Sequence, residues 1–481
     1  MPEGAGQPYR LILSDMQTKN TLTWVASLSL LAAPAWAAQP VPVSSAASPA
    51  KPGASATSSQ PALTLAARPM PRATTPAAET FELQQLLELA QTTNKGVEAA
   101  QANVDAATAA ITTARAYPNP QVEVMYGRLH GKEAGVPSGN APSYAFVQKF
   151  DYPNQRSLRE RMAGRGLEAT AAQRQTFRAE LASRVKTAYF QVLRRETELA
   201  AAREDLNLMR QIQERAKVRV DVGEAPRYEL IKADTELLAA QKTLQTAELR
   251  VAQAKNSLRQ QVGGSMPADF ALQGSLSNTP AVPDLAVLRD TLQANNAELA
   301  QRRSELERAQ LGVDYQRSLR WPEVAVRAVT DRQPDNNVNQ IGLVMTIPLW
   351  DRRSGPVGEA TAQATQARTA LEAREFELTQ ELSNAYQQYE ITQAQVTALE
   401  SGIVREAESA LGVAEAAYRF GERGILDYLD AQRVLRNARN ELITAQYELQ
   451  VAAIQIEKLM SATPGAPTGA APSMPVSPNL N

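Results

Sequence analysis

The 481-residue sequence has no cysteine and a single histidine, His130. Without cysteine and with only one histidine, the chain cannot build a zinc or copper site from thiolate or imidazole ligands. The sequence also has no glycine-rich phosphate-binding motif and no cluster of catalytic residue types, which argues against an enzyme. We therefore expect no catalytic residue, no resident metal and no cofactor. A loop position is the better interpretation of His130, with contact to a metal as the alternative.

Aromatic residues make up only 5% of the chain, and alanine dominates its hydrophobic residues. Large buried side chains are therefore scarce, and a thick globular core is not expected for this length. The formal net charge of -1 gives no basic surface with which to neutralise phosphates. We expect no nucleic-acid partner.

The first 38 residues resemble a secretory signal peptide, and Met16 is a possible start. Lys19 precedes an apolar run from Leu22 to Leu31, and Ala35-Trp36-Ala37 has the small-x-small pattern of a cleavage site. The run is shorter than the ~20 apolar residues that span a bilayer, which weighs against a membrane anchor. No cysteine follows, so a lipoprotein anchor is excluded. We expect export.

Two segments rich in proline, alanine and serine, 39–79 and 462–481, cannot bury enough apolar surface to offset the entropy of ordering. We expect both to be flexible. Between them, no stretch approaches the length of a transmembrane helix. The periplasm, the outer membrane and the medium remain as destinations.

The rest of the chain is an internal duplication, with a first repeat over 80–275 and a second over 276–461. The offset between aligned residues is 202, then 197, then 198. Units of this length are too long for solenoid repeats, so we interpret them as two pseudo-equivalent halves of one assembly. The aligned pairs are Asn94 with Asn296, Tyr189 with Tyr386, and Gly223 with Gly421.

Each repeat contains two segments of alternating apolar residues around a polar loop, the pattern of a β-hairpin. The loops are 130–140 and 331–338. Four strands cannot close a barrel, and lipid does not tolerate open sheet edges, so a membrane-spanning version needs several chains. A soluble sheet that caps a helical domain is the alternative. The alternating residues are Val122, Val124, Tyr126, Tyr144, Phe146 and Phe150, then Val324, Val326, Ala328, Ile341, Leu343, Met345, Ile347 and Leu349.

Each hairpin is flanked by helices. In the first repeat, a helix from Leu83 to about Tyr117 is interrupted near 92–96. Residues 158–222 contain no proline, which predicts a helix of about 100 Å, with a counterpart over 357–420.

Shorter helices return over 227–262 and 425–460. They alternate large residues with alanine at 3,4 spacing, which favours an antiparallel coiled coil over an ordinary helical hairpin. Their remaining faces are polar. Polar faces on both sides of a helical wall suit a water-filled tube.

In this order of helix, hairpin, long helix, tight turn and return helix, residues 81–461 resemble the TolC-like outer membrane factor family. The resemblance implies a mainly α fold with a small β part and an internal duplication. It implies a homotrimeric α-barrel of long coiled-coil helices joined to a 12-stranded outer membrane β-barrel, with four strands per chain. The segment Ala116-Tyr117-Pro118-Asn119-Pro120 is most similar to the branch that serves heavy-metal pumps for cobalt, zinc, cadmium, nickel or copper.

The resemblance further implies the outer membrane channel of a tripartite RND-type efflux system, with a large periplasmic portion. Such a channel passively conducts its substrate, here divalent metal cations. The implied partners are a periplasmic adaptor, an inner membrane RND pump and outer membrane lipid. Drug efflux and type I protein secretion are the alternatives. A periplasmic coiled-coil adaptor fits less well, because adaptors have one hairpin flanked by β-rich domains.

The same family places its functional residues at the two turns between long and return helices. Asp427 and Asp430 would form an acidic ring at the channel entrance, although acids in a first helical turn also favour the helix dipole. Their counterparts in the first repeat are Glu229 and Lys232, so only the second carries the paired acids. Glu229, Arg423 and Tyr418 would form a gate tether, although Pro226 departs from the family pattern. The implied adaptor contacts are Val222, Gly223, Glu224, Phe420, Gly421 and Gly424.

Overall fold

The computed structural model describes residues 79–132, 135, 137–264 and 266–460. The predicted signal peptide and C-terminal tail lie outside the described residues, as does all of the predicted segment 39–79 except Glu79.

Nine α-helices, one π-helical segment and six strands make up the described part of the chain. The mainly helical fold with a small β part, duplicated along the chain, is confirmed. The helices are α1 (Leu83–Thr93), α2 (Lys95–Arg115), α3 (Pro153–Asp221), α4 (Arg227–Val262), α5 (Leu285–Asn295), α6 (Ala297–Ser318), α7 (Ser354–Ala398), α8 (Val404–Arg419) and α9 (Ile425–Leu459). The strands are β1 (Glu79–Phe81), β2 (Gln121–Leu129), β3 (Gly139–Phe150), β4 (Phe270–Leu272), β5 (Glu323–Arg332) and β6 (Asn337–Thr346).

The first long helix, α3, has 69 residues, which corresponds to about 100 Å. It begins at Pro153, five residues before the predicted start, because the first helical turn accommodates a proline whose missing N–H would have no intrahelical partner. The return helix α4 covers the predicted residues, and α9 ends one residue early, at Leu459. Within the described residues, none of the helices combines the length and the apolarity needed to cross a membrane.

The second long helix is not one uninterrupted α-helix, as the sequence had suggested. A π-helical segment, Leu399–Ile403, joins α7 to α8. Such a segment takes up one additional residue within an α-helix. The repeat offset rises by one between Tyr386 and Gly421. The π-helix accounts for this residue, so the second turn keeps the position of the first.

The two predicted hairpins are confirmed, and they join into one antiparallel sheet with strand order β2-β3-β5-β6. Pairing of β3 with β5, for example Phe146 with Ala328, links the two repeats. The second loop is shorter than predicted, because Arg332 and Asn337 pair across the hairpin. The predicted strand residues Ile347 and Leu349 lie beyond the end of β6. Strands β2 and β6 form the two outer edges.

A short parallel pair, β1 with β4, was not predicted. Each strand has only three residues, too few for an alternating pattern to be visible in the sequence. Glu79, which the sequence had placed in the flexible segment, pairs with Phe270.

The four-stranded sheet has one apolar face and one mixed face. Cross-strand pairing places Val122, Phe146, Ala328 and Ile341 in one row across the sheet. Apolar side chains on this face are exposed to a large extent, including Val122, Tyr126, Ile341 and Leu343. On the opposite face Arg327 Nη2 lies 3.3 Å from Glu123 Oε2. The alternation predicted from the sequence therefore separates apolar from polar side chains.

Three main hydrophobic clusters stabilise the helices. One lies under α1, α3 and α4, and a corresponding one lies under α5, α7 and α9. The third, near the turns, is shared by α3, α4, α8 and α9. Each repeat thus has its own core, and the third cluster joins the repeats.

The return helix α9 is buried on two sides. Leu435 and Leu449 belong to the predicted seam toward α7 and α8, whereas Ile443 packs in the cluster around α3. Lys186 Nζ of α3 also lies 2.5 Å from Glu457 Oε1 of α9. This joint between α3 and α9 holds the two repeats together.

The matching return helix of the first repeat, α4, packs on α3 and α1. Alanines of its predicted seam, such as Ala233 and Ala240, are buried. Its other side leaves Ile231, Leu238 and Leu249 exposed. Helix α9 is therefore covered on its second side by α3, whereas the second side of α4 is left uncovered.

Two asparagines at equivalent positions make the same contacts, one in each repeat. Asn296 caps α6 by accepting a hydrogen bond from the Leu299 N–H (3.0 Å), and its Nδ2 donates to the carbonyl of Leu459 at the end of α9 (2.8 Å). Asn94 does the same at the start of α2, with Nδ2 donating to the Gln261 carbonyl (2.8 Å). Each asparagine thus ties a helix start to the end of a return helix.

Replacing Asn296 with alanine is expected to reduce the free energy of unfolding by about 1–3 kcal/mol, because a buried cap and a carbonyl partner are lost together. The measurement is the thermal unfolding midpoint of the detergent-solubilised protein. Asn295→Ala, at the exposed neighbouring position, is the matched control. Equal shifts for the two variants would show that Asn296 has no special structural role.

Candidate functional site at the helical turns

Two tight turns close the coiled-coil hairpins. The first turn is 222–226, between α3 and α4, and the second turn is 420–424, between α8 and α9. Gly223 and Gly421 have φ angles of 80° and 75°, in the left-handed region that favours glycine. No atom would contact a side chain added at either position, so backbone conformation alone explains the two glycines.

Both turns satisfy the last helical carbonyls in the same way. The Glu224 N–H donates to the Arg219 carbonyl (2.8 Å), and the Glu422 N–H donates to the Ala417 carbonyl (2.9 Å). This is the Schellman arrangement that commonly ends a helix at glycine. The return helices then begin directly after Pro226 and Gly424. The residues predicted as adaptor contacts are thus held in two rigid, equivalent turns.

An exposed apolar side chain stands at the same position in each turn. Val222 is 65% exposed and Phe420 is 77% exposed. Apolar side chains at the ends of a helical hairpin gain nothing from the chain's own core, so they are available to a partner.

The acids of the second turn, Asp427 and Asp430, lie one helical turn apart, and both are exposed. Arg423 Nη1 lies 3.1 Å from Asp427 Oδ2, and Arg433 Nη1 lies 3.7 Å from Asp430 Oδ1. Arg433 also reaches Glu236 of α4 (3.8 Å). Sequence reasoning missed Arg433, although its spacing of three residues from Asp430 was a signal. Within one chain, an arginine accompanies each acid.

Glu229, in the first turn of α4, approaches the second turn. Its Oε1 is 3.9 Å from where a side chain on Gly424 would begin, and its Oε2 is buried without a hydrogen-bond partner. Among the described residues, Arg423 forms its ion pair with Asp427 and none with Glu229. The structure brings Glu229 close to the second turn but does not join it to Arg423.

Tyr418 lies inside the cluster near the turns and is only 3% exposed. Its ring stacks on Tyr428 with centroids 5.8 Å apart, and the Arg219 guanidinium lies 5.0 Å from the Tyr418 ring centroid. The Tyr418 hydroxyl is buried without a hydrogen-bond partner. Burial raises the pKa of Tyr428, and the Glu415 carboxylate adds to the rise. The aromatic pair therefore packs the second turn against the end of α3.

Within the described ranges, no three His, Cys, Asp or Glu side chains are close enough together to hold a metal ion. The single histidine lies in the loop after β2. The chemistry available at the turns is charge and apolar contact.

The sequence matches the family described as outer membrane efflux protein twice, over residues 86–264 and 288–462. It is 27% identical to the cobalt-zinc-cadmium resistance protein CzcC of Cupriavidus metallidurans, over 80% of this chain and 91% of that protein. It is 24% identical to the outer membrane protein TolC of Escherichia coli, over 79% of this chain and 82% of that protein.

The fold is similar to that in crystal structures of CusC. The TM-score is 0.70 at 18% identity, and the similarity covers 79% of this chain and 91% of that one. At this level of identity, the comparison supports the architecture of helices and sheet described above.

Proposed function

Because the chain belongs to the outer membrane efflux protein family, we propose that it is the outer membrane channel of a tripartite pump for divalent heavy-metal cations. The family predicted from residues 81–461 is thereby confirmed, and it is a family of efflux channels, located in the outer membrane. The observation that carries the choice of substrate is the similarity to a cobalt-zinc-cadmium resistance protein over 91% of that protein's length.

The proposal includes a homotrimer. Its support is the incomplete packing of one chain. In the duplication, α4 corresponds to α9, and α7 with α8 corresponds to α3. Packing of α4 on α7 and α8 of a neighbouring chain would therefore repeat the joint of α9 with α3. These helices expose apolar residues such as Leu238, Leu249, Phe376 and Val413. The sheet edges β2 and β6 are free to pair in the same assembly. Three chains would supply twelve strands and close a barrel.

In this assembly the apolar face of the sheet meets lipid, and the helices extend into the periplasm. The turns then lie at the far end, where the exposed Val222 and Phe420 would contact a periplasmic adaptor that connects the channel to an inner membrane RND pump. The two equivalent turns of each chain would offer six similar contacts per trimer.

Deleting the gene is expected to lower the tolerated concentrations of cobalt, zinc and cadmium severalfold, with tolerance to dyes and detergents unchanged. The physical reason is that a pump without its outer membrane conduit cannot move cations past the periplasm. Growth inhibition by each compound is the measurement, and the restored wild-type gene is the control. Loss of dye tolerance with intact metal tolerance would favour drug efflux, and recovery of the protein in the soluble periplasm would favour an adaptor.

The acidic ring of Asp427 and Asp430 remains a prediction. Replacing both with asparagine removes two negative charges beside Arg423 and Arg433, so the second turn becomes more positive and preference for cations should fall. The measurement is the reversal potential in planar bilayers under a salt gradient, which should shift toward that of the anion.

The control for this shift is Glu248→Gln with Glu441→Gln, two exposed acids on the return helices. A reversal potential that moves equally in both double variants would rule out a special role of the second turn.

The gate tether of Glu229, Arg423 and Tyr418 also remains a proposal. It is supported by the unpaired buried oxygens of Glu229 and Tyr418 and by the proximity of Glu229 to the second turn. Arg423→Ser combined with Tyr418→Phe is expected to raise single-channel conductance, because the variant lacks side chains that would hold the entrance closed. An exposed ion pair contributes only ~0–1 kcal/mol, so such a latch releases easily.

Arg405→Ser is the control for the tether, since Arg405 is an exposed arginine of α8 whose ion pair is with the adjacent Glu406 (3.7 Å). If the Arg423 and Tyr418 variant conducts like this control and the wild type, the tether does not close the entrance.

A further inference from the structure

The junction between sheet and helices carries exposed aromatic side chains. All four strands of the sheet pass into a helix at one end, through the segments 116–120, 151–152, 319–322 and 347–353. Trp350 is 94% exposed there and Trp321 is 56% exposed, and Tyr117 and Tyr152 are also exposed. Tryptophan and tyrosine collect where apolar and aqueous phases meet at a membrane surface. The junction therefore has the composition of a membrane interface.

A cleft of about 410 Å³ opens at this junction, lined by Arg320, Pro348, Arg352 and Ser354. Both arginines are exposed. In the described part of the chain neither guanidinium has an ion-pair partner. The cleft thus combines two uncompensated positive charges with neighbouring tryptophans.

Other arginines of the same junction are occupied. Arg159 pairs with Asp151 (2.5 Å), and Arg156 donates to the Tyr117 hydroxyl (2.5 Å). Arg353 contacts Gln316 (3.4 Å). Arg320 and Arg352 differ from these three arginines because, among the described residues, their guanidinium groups have no side-chain partner.

The first repeat has different residues at the positions that correspond to this cleft. Gln155 stands where the repeat alignment places Arg352, and it is buried and donates to the Ser318 carbonyl (3.2 Å). Pro118 aligns with Arg320. The helix also starts four positions later in the second repeat, at Ser354, so that Trp350 and Arg352 lie in a non-helical segment instead of a first helical turn. The first repeat therefore lacks the two arginines that line the cleft.

We propose that Arg320 and Arg352 bind the phosphate of a phospholipid headgroup in the periplasmic leaflet of the outer membrane, with Trp350 and Trp321 at the level of the glycerol backbone. This inference rests on the proposed function, because it requires the sheet to span that membrane. Guanidinium groups match phosphate oxygens in geometry and in charge, and they lose less hydration than an ammonium group. The apolar face of the sheet would take the acyl chains.

Native mass spectrometry of the full-length protein from mild detergent, titrated with phosphatidylglycerol, tests the site. The wild type is expected to retain about one phospholipid per chain. Arg320→Gln with Arg352→Gln is expected to reduce this retention severalfold. Arg203→Gln with Arg210→Gln, two exposed arginines on α3, is the matched control and should retain lipid like the wild type.

Tryptophan fluorescence gives a second measurement. Apart from Trp24 and Trp36 in the predicted signal peptide, Trp321 and Trp350 are the tryptophans of the sequence. Brominated acyl chains should quench their emission in the wild type, and inorganic phosphate alone should not displace the lipid. Undiminished retention in the Arg320 and Arg352 variant, equal loss in the control, displacement by phosphate, or no quenching would each overturn the proposal.

The two proposals can fail separately. Each variant is first recorded in planar bilayers. A variant that conducts normally and yet retains lipid overturns the headgroup site alone, whereas a wild type that never forms channels overturns the proposed function.

Discussion

The joint between α3 and α9 determines how the two repeats pack together and which surfaces of the chain stay uncovered. It packs Ile443 of α9 into the cluster around α3 and adds the ion pair of Lys186 with Glu457. Because the chain is duplicated, the same kind of joint is expected at α4, yet α4 leaves Leu238 and Leu249 exposed. A unit that satisfies its self-complementary joint only once has one open side, and this open side is what supports the proposed homotrimer. The open sheet edges have the same consequence at the other end of the molecule.

Polar interactions fix the geometry around this joint. Asn94 and Asn296 each join a helix start to the end of a return helix, so the long and the return helices of each repeat keep a defined register. In the second repeat the π-helix takes up one residue and preserves the position of the turn. Near-equivalent walls can therefore surround one channel although the two copies differ in sequence.

The copies differ at the positions where function is expected. At the second turn, Asp427 and Asp430 each lie beside an arginine, whereas Glu229 and Lys232 stand at the corresponding positions of the first repeat. At the junction with the sheet, Arg320 and Arg352 of the second repeat align with Pro118 and Gln155 of the first. The duplication gives the two repeats the same fold, and substitutions at a few positions give them different charged side chains.

The sequence by itself determined the repeat, the helix limits near Arg227 and Val262, the glycines of both turns and the two hairpins. These features follow from local periodicity and backbone preference, which act within a few residues. Pairing of β3 with β5 and the second buried face of α9 were decided by tertiary structure. They depend on which surfaces meet across hundreds of residues, and neither hydrophobic period nor charge spacing specifies that. The position of the π-helix belongs with them, because the offset in the repeat revealed one additional residue but only packing fixed where the helix absorbs it.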